Sequence, residues 1–169
     1  LGTFTLRVVQ PVYADGSLVG YVELGKEIED VLQAITPHSG TQLAVVIRKE
    51  YLTRRTWEEG MGMLGREADW DQLSQGAVSY TSQGHLPDAF VAWTDQVSED
   101  NPGKDETYQE IATDGKDWLV SASPLRDASD KQVGDLLILQ DITDDKADFA
   151  RLLLLGGTGG SVLLMLLLG

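Results

Sequence analysis

The amino-acid sequence predicts an α+β protein: an antiparallel sheet flanked by helices, with a C-terminal transmembrane helix. Three observations carry that prediction. Two distant segments match each other as strand–turn–strand–helix units. Between them, apolar residues recur at helical spacing, interrupted by short β-rich runs. The last eighteen residues, Leu152 to Gly169, carry no charge, and a run of that kind reads as a membrane-crossing helix, which needs ~20 apolar residues.

The matching segments are LRVVQPVYADGSLVGYVELGKEI from Leu6 and LVSASPLRDASDKQVGDLLILQDI from Leu119. Leu6 aligns with Leu119, Pro11 with Pro124, Val19-Gly20 with Val133-Gly134, Glu27 with Asp141 and Ile28 with Ile142, with one residue inserted in the turn. Each copy runs as a β-prone strand to a Pro, then a polar turn (Asp15-Gly16, or Asp127 to Asp130), then a second apolar strand. That order is an antiparallel hairpin leading into a helix. The register of the match favours duplication over two unrelated hairpins.

Leu1 to Gln10 reads as the first strand. After the first hairpin, Ile28, Val31, Leu32 and Ile35 fall on one helix face, which Pro37 and Gly40 end. Thr41 to Lys49 is a β-rich run. Glu50 to about Arg66 reads as a helix, with Trp57, Met61, Leu64 and Ala68 on one face. Leu86, Phe90, Trp93 and Val97 repeat that spacing, with Pro87 placed for a first turn. Ser98 to Glu106 is a polar loop and Tyr108 to Thr113 a strand. The second unit therefore reads as strand, helix, helix-bearing insertion and three strands. After it, Thr143 is placed to cap a helix with Asp144 and Asp145 in its first turn, where negative charge suits the dipole. The apolar run is unbroken at Gly169 and Leu1 opens directly on a strand, so a longer protein is expected.

A net charge of −14 argues against nucleic-acid binding. The absence of cysteine removes disulfides, thiol nucleophiles and Cys-based metal sites. The two histidines, His38 and His85, sit in turn-like contexts and leave little material for a metal site or a Ser-His triad. Asp69 and Asp71 flank Trp70, but their spacing matches no calcium loop. No catalytic residue, metal or cofactor is expected. A membrane-anchored hydrolase would need a nucleophile with its base or a paired carboxylate cleft, and no such constellation is legible. The residues before the apolar run include Asp144, Asp145 and Asp148, with Lys146 the only nearby Lys and Arg151 the only nearby Arg, whereas cytoplasmic flanks are rich in Lys and Arg. The soluble part is thus expected to face outward.

Three blocks carry a family resemblance: QPVYADGSLVGYVELGKEIEDVL, YLTRRTWEEGMGMLGREADWDQL and SPLRDASDKQVGDLLILQDIT. With two modules in tandem before a membrane helix, the chain resembles the double Cache, PAS-like extracytoplasmic sensors of bacterial two-component sensor kinases and related transmembrane receptors. The resemblance divides the chain. Residues 1–36 would be the closing hairpin and helix of a membrane-distal module. Residues 41–143 would form a membrane-proximal module, 144–151 a juxtamembrane helix and 152–169 the transmembrane helix. It implies a periplasmic domain anchored in the inner membrane, acting as a homodimer. A signal would pass through its last strand and helix to a histidine kinase, or alternatively to a diguanylate cyclase or a chemotaxis signalling domain. A protein-binding or structural ectodomain is the reading from another class. The amino-acid-binding motif of Cache domains is echoed only in part, by Tyr51, Arg55 and Trp57.

In such a fold, an unidentified small ligand would lie between the sheet and its covering helices. Arg54 and Arg55 are candidates for a carboxylate or phosphate, unless they pair with Glu58, Glu59 or Glu67 on the helix surface. Trp57, Trp70, Tyr80 and Trp118 are candidates for pocket walls, with core packing the simpler role for Trp57 and Trp70. Ser121 and Ser123, two apart on one strand face, are candidate hydrogen-bond donors. In the apolar run, Gly156 and Gly160 form a GxxxG pair that lets two helices approach closely.

Overall fold

The computed structural model describes residues 5–35, 41–100 and 106–154. The first hairpin pairs β1 (Thr5–Ala14) with β2 (Ser17–Glu27) in a two-stranded sheet and continues into α1 (Ile28–Ile35). Asp15 and Gly16 close it with positive φ angles of 49° and 80°, as an Asp-Gly loop of the mirror-image turn type requires. The remaining strands are β3 (Thr41–Arg48), β4 (Gly76–Thr81), β5 (Thr107–Thr113), β6 (Lys116–Arg126) and β7 (Gln132–Asp141). They form one antiparallel sheet in the order β4-β3-β7-β6-β5. A short 3-10 turn (Lys49–Tyr51) and α2 (Arg54–Met63) connect β3 to β4, and α3 (Asp88–Asp100) connects β4 to β5. A further helix, α4, starts at 143 and is described to 154.

β3 is buried on both faces, which is why Thr41–Arg48 reads as a continuous apolar run and not as an alternation. Ala44 and Val46 face α3, whose Phe90, Trp93 and Val97 pack with Val120, Leu137 and Leu139. Leu43, Val45 and Ile47 face the other way, against Leu32 of α1 and Tyr80. At the β4 end of that second face, Trp57 and Met61 of α2 cover Ala77.

The duplication is a property of the backbone. Leu6 pairs with Lys26, and their aligned counterparts Leu119 and Gln140 pair likewise; so do Pro11 with Tyr21 and Pro124 with Asp135. Both ladders shift register at the same aligned place, between Val12 and Tyr13 and between Leu125 and Arg126. The surroundings differ. β7 is bonded to β3 on its outer edge, whereas Val8, Tyr13, Val19, Tyr21 and Leu24 of the first hairpin are exposed.

Several expectations are corrected. The 50–66 segment is not one helix: α2 spans only Arg54–Met63, because Gly65 at φ +67° turns the chain out of the helix. β4 was not expected as a strand. It is six residues long and buried on both faces, so it shows no alternation, and the second unit has five strands, not four. α3 extends through Ser98 to Asp100. Pro37 and Gly40 lie outside the described residues, as do Gly156, Gly160 and the apolar run beyond Leu154. Among the described residues, no helix is long and apolar enough to cross a membrane.

The aligned glycines separate hairpin from environment. A Cβ at Gly134 would stand 2.2 Å from the Val46 carbonyl oxygen, whereas one at Gly20 meets nothing within 4 Å. Gly134→Ala should therefore cost about 2 kcal/mol or more, in the range of overpacked cores, and Gly20→Ala less than about 1 kcal/mol. Urea unfolding of the two variants side by side checks this, and equal losses would contradict the packing described.

Candidate functional site

A cavity of about 490 Å³ opens at the β4 edge of the five-stranded sheet, between the end of α2, β4 and the loop after it. Its wall begins with the way α2 stops. The Gly65 N–H donates to the Gly62 carbonyl (3.1 Å) and the Arg66 N–H to the Met61 carbonyl (3.0 Å). This is the double bond of a Schellman ending, with glycine at the left-handed position. The turn sends Arg66 back over β4. Its Nη1 donates to the Ser79 carbonyl at 3.1 Å, and its guanidinium lies 5.7 Å from the centre of the Tyr80 ring. That contact is within reach of a cation–π attraction.

The opposite wall is the loop from Ser82 to Leu86. It is pinned by Ser82 N–H to the Leu43 carbonyl (2.8 Å), by Leu43 N–H to Ser82 Oγ (3.0 Å) and by Gln72 Nε2 to the Leu86 carbonyl (2.7 Å). Gln33 of α1, Glu67, Asp69, Gln72 and His85 add to the polar lining, and Met61, Val78 and Leu86 form the apolar part. Two hydroxyls of the lining strand, Ser79 Oγ and Thr81 Oγ1, are buried without a hydrogen-bond partner. Both residues line the cavity, and an unmade buried hydrogen bond is costly.

Of the eight expected ligand residues, only Tyr80 is in this lining. Arg54 is on the surface of α2, with Nε 2.8 Å from Glu58 and Nη2 3.1 Å from Asp71; its hydrogen bond to Glu58 leads the causes that raise its pKa. Arg55 is farther out still, 3.1 Å from Glu59. Trp57 is 1% exposed and packs edge-on against Trp70, with ring centres 5.5 Å apart. Trp118 packs edge-on against Phe90 at 5.6 Å on the α3 face. Ser121 and Ser123 do share a face, opposite Ile138 and Leu136, in a different part of the sheet from the cavity lining. Arg66, Gln72 and Ser79 were missed. Gly65 after an apolar helical stretch was the legible sign that the chain turns there, and Ser79 sits on the strand that was not expected. Among the described residues, no three His, Asp or Glu side chains converge where a metal ion could sit.

The second candidate feature is the exit from the sheet. Contrary to expectation, Thr143 does not cap α4 with its side chain. Its Oγ1 accepts from the Asp117 N–H (2.9 Å) and donates to Asp141 Oδ1 (2.6 Å). The capping oxygen is Asp141 Oδ1, which also accepts from the Thr143 N–H at 3.1 Å. Lys116 Nζ holds the other oxygen of Asp141 at 2.7 Å, and Lys146 of α4 reaches Glu110 of β5 at 2.7 Å and Asp117 of β6 at 3.4 Å. The start of α4 is thus tied to three strands.

The model of a protein family described as the double sensory domain of two-component sensor kinase matches residues 2–146. No curated protein matches the chain. A crystal structure of a C-terminal domain from Streptococcus mutans is 15% identical and covers 83% of this chain and 96% of its own, with a TM-score of 0.36.

The Asp141 junction makes an acid-range prediction. The hydrogen bond from Lys116, then those from Thr143, hold its carboxyl down at about 2. Its contribution to folding is complete above the ordinary value of 3.8 and is lost as the pH falls through about 2. Carbon-detected titration should find the Asp141 midpoint near 2, and Asp141→Asn should speed amide exchange at Thr143 and Lys146. A midpoint close to 3.8 would mean that the junction is not formed.

Proposed function

Because this chain belongs to the family of double sensory domains of two-component sensor kinases, we propose that it is the extracytoplasmic sensor of a transmembrane histidine kinase that responds to a small polar molecule held in the β4 cavity. The observation that carries this reading is the cavity and its lining. About 490 Å³ is within the range of small-molecule pockets. Arg66 supplies a fixed cation, Glu67 and Asp69 supply acceptors, and Ser79 and Thr81 supply hydroxyls in want of a bond. Such a set binds and orients a solute. It is poorly suited to hydrolysis, since Ser79 Oγ has no hydrogen-bonded base to activate it.

A ligand would be felt at the membrane by way of the sheet. β4 forms one wall of the cavity and is bonded to β3, β3 to β7, and β7 runs into the Asp141–Thr143 junction and α4. A ligand that prefers one arrangement of the β4 edge shifts the population of α4 positions by its differential affinity, and by no more than that. The scarcity of Lys and Arg before the apolar run, where Lys146 and Arg151 stand alone, supports an outward-facing domain. The apolar residues from Leu152 onward would anchor it in the inner membrane, with Gly156 and Gly160 pairing two copies. The first hairpin would be the closing hairpin of a membrane-distal module. Its shared register with β6–β7, and its exposed apolar side chains where β6–β7 is covered, support that assignment.

A thermal-shift screen against organic acids, amino acids, amines and ions tests the reading. A binder present at 100 times its Kd stabilises the folded state by about 2.7 kcal/mol. The shift should vanish in Arg66→Ala and persist in Arg54→Ala and Arg55→Ala. A binder indifferent to Arg66→Ala would move the site out of this cavity. Replacing residues 143–149 by a Gly/Ser linker should leave the shift intact while the output ceases to follow the ligand, and an output that still follows it would sink the relay through α4.

A further inference from the structure

The sheet buries a carboxylate and the inner edge of a guanidinium side by side without joining them. Asp135 on β7 is 5% exposed, and its Oδ2 has no hydrogen-bond partner; Oδ1 accepts from Gln132 Nε2 at 2.8 Å. Arg48 on β3 has buried Nε and Nη2 atoms, also without partners. Those two nitrogens form one edge of the guanidinium, the edge that meets a carboxylate with two parallel bonds. The residues are diagonal neighbours across the ladder. Val46 pairs directly with Asp135, and Arg48 lies two residues farther along the same face. Burial raises the Asp135 pKa, and the positive charge of Arg48 is the main influence opposing it. Buried partners are normally closed, because each is expensive to leave alone.

The backbone around this pair has slack on both sides. The β3–β4 ladder shifts register between Val45 and Val46, and the β6–β7 ladder shifts between Leu125 and Arg126. The β3–β7 ladder between them is regular from Thr41↔Gln140 to Ile47↔Gly134. A register shift disrupts its ladder locally, bends the strand and raises the twist there. β3 and β7 can thus shift together as one regular pair while the irregular ladders to β4 and β6 take up the change.

We propose that Arg48 and Asp135 are a positioning pair with two settings, apart in this structure and closed in a second conformation, which sets where the β3–β7 pair and therefore α4 sit relative to β4 and β6. The pair stands on the route from cavity to exit, since Arg48 is paired with Gly76 of the cavity-wall strand and Asp135 is on the strand that ends at Asp141. Its use as a relay rests on the sensor-cavity reading. Its two settings do not.

The test uses the full-length chain without ligand. Relaxation-dispersion NMR at the Arg48 Nε–H, assigned by its disappearance in Arg48→Lys, should show exchange between two environments, with matching exchange at the Ile142 and Thr143 amides. Asp135→Asn should abolish the exchange at all three. A single sharp Arg48 signal, or exchange at Arg48 with none at Ile142 and Thr143, overturns the proposal. The apolar pair Arg48→Met with Asp135→Leu separates positioning from stability. It should regain the wild-type melting temperature yet show no exchange at Thr143, and exchange there in that variant would also overturn it. Should Asp135→Asn fail to fold, the wild-type dispersion at the three sites still decides.

Discussion

The ladder between β3 and β7 is the contact on which the rest of the structure depends. β7 enters the sheet between β3, which precedes it by some ninety residues, and β6, its hairpin partner. That insertion makes β3 and β7 interior strands, and Val45 and Val120 reach 0% exposure beside it. With both edges of β7 bonded, its two faces can each carry a packed layer: α3 over Leu137 and Leu139, and Leu32 of α1 with Tyr80 near Leu136 and Ile138. Close approach is part of the same constraint, since Gly134 leaves no room for a side chain against the Val46 carbonyl.

The sheet's interruptions follow from its interior. β4 is an edge strand, bonded only to β3 and across an irregular ladder. The layer of α2 ends at Gly65, before it has covered the full length of β4. The cavity is what remains where that layer stops, and Arg66 lines it because the Schellman ending of α2 points the chain there. At the opposite end of the chain, β7 has no turn to close it, so its last carboxylate holds the first N–H of α4. Cavity and exit are thus both end effects of a well-packed centre, joined by the strands between them.

The repeated hairpin shows how far local sequence goes. Both copies adopt one register and one bulge position although few of their residues are identical. Strand propensity, a proline at one place and a polar turn suffice for that. Their fates diverge through neighbours. In the second copy the apolar side chains form the core, and in the first they are exposed.

Taken alone, the sequence determined the α+β class, the duplication, the strand at Thr41, the buried face of α3 at Phe90, Trp93 and Val97, and the family. All of these rest on periodicities and turn residues that act over a few positions. It also put Arg54 and Arg55 in reach of Glu58 and Glu59, the pairing they adopt. Tertiary structure decided what depends on distant partners. β4 is a strand because β3 offers an edge and both its faces are covered, and no alternation announces it. Arg66, Ser79 and Gln72 meet around one cavity from separate elements, Thr143 bonds to Asp117 across 26 residues, and Arg48 lies diagonal to Asp135 across the ladder. Such meetings are set by strand order, which local sequence does not encode.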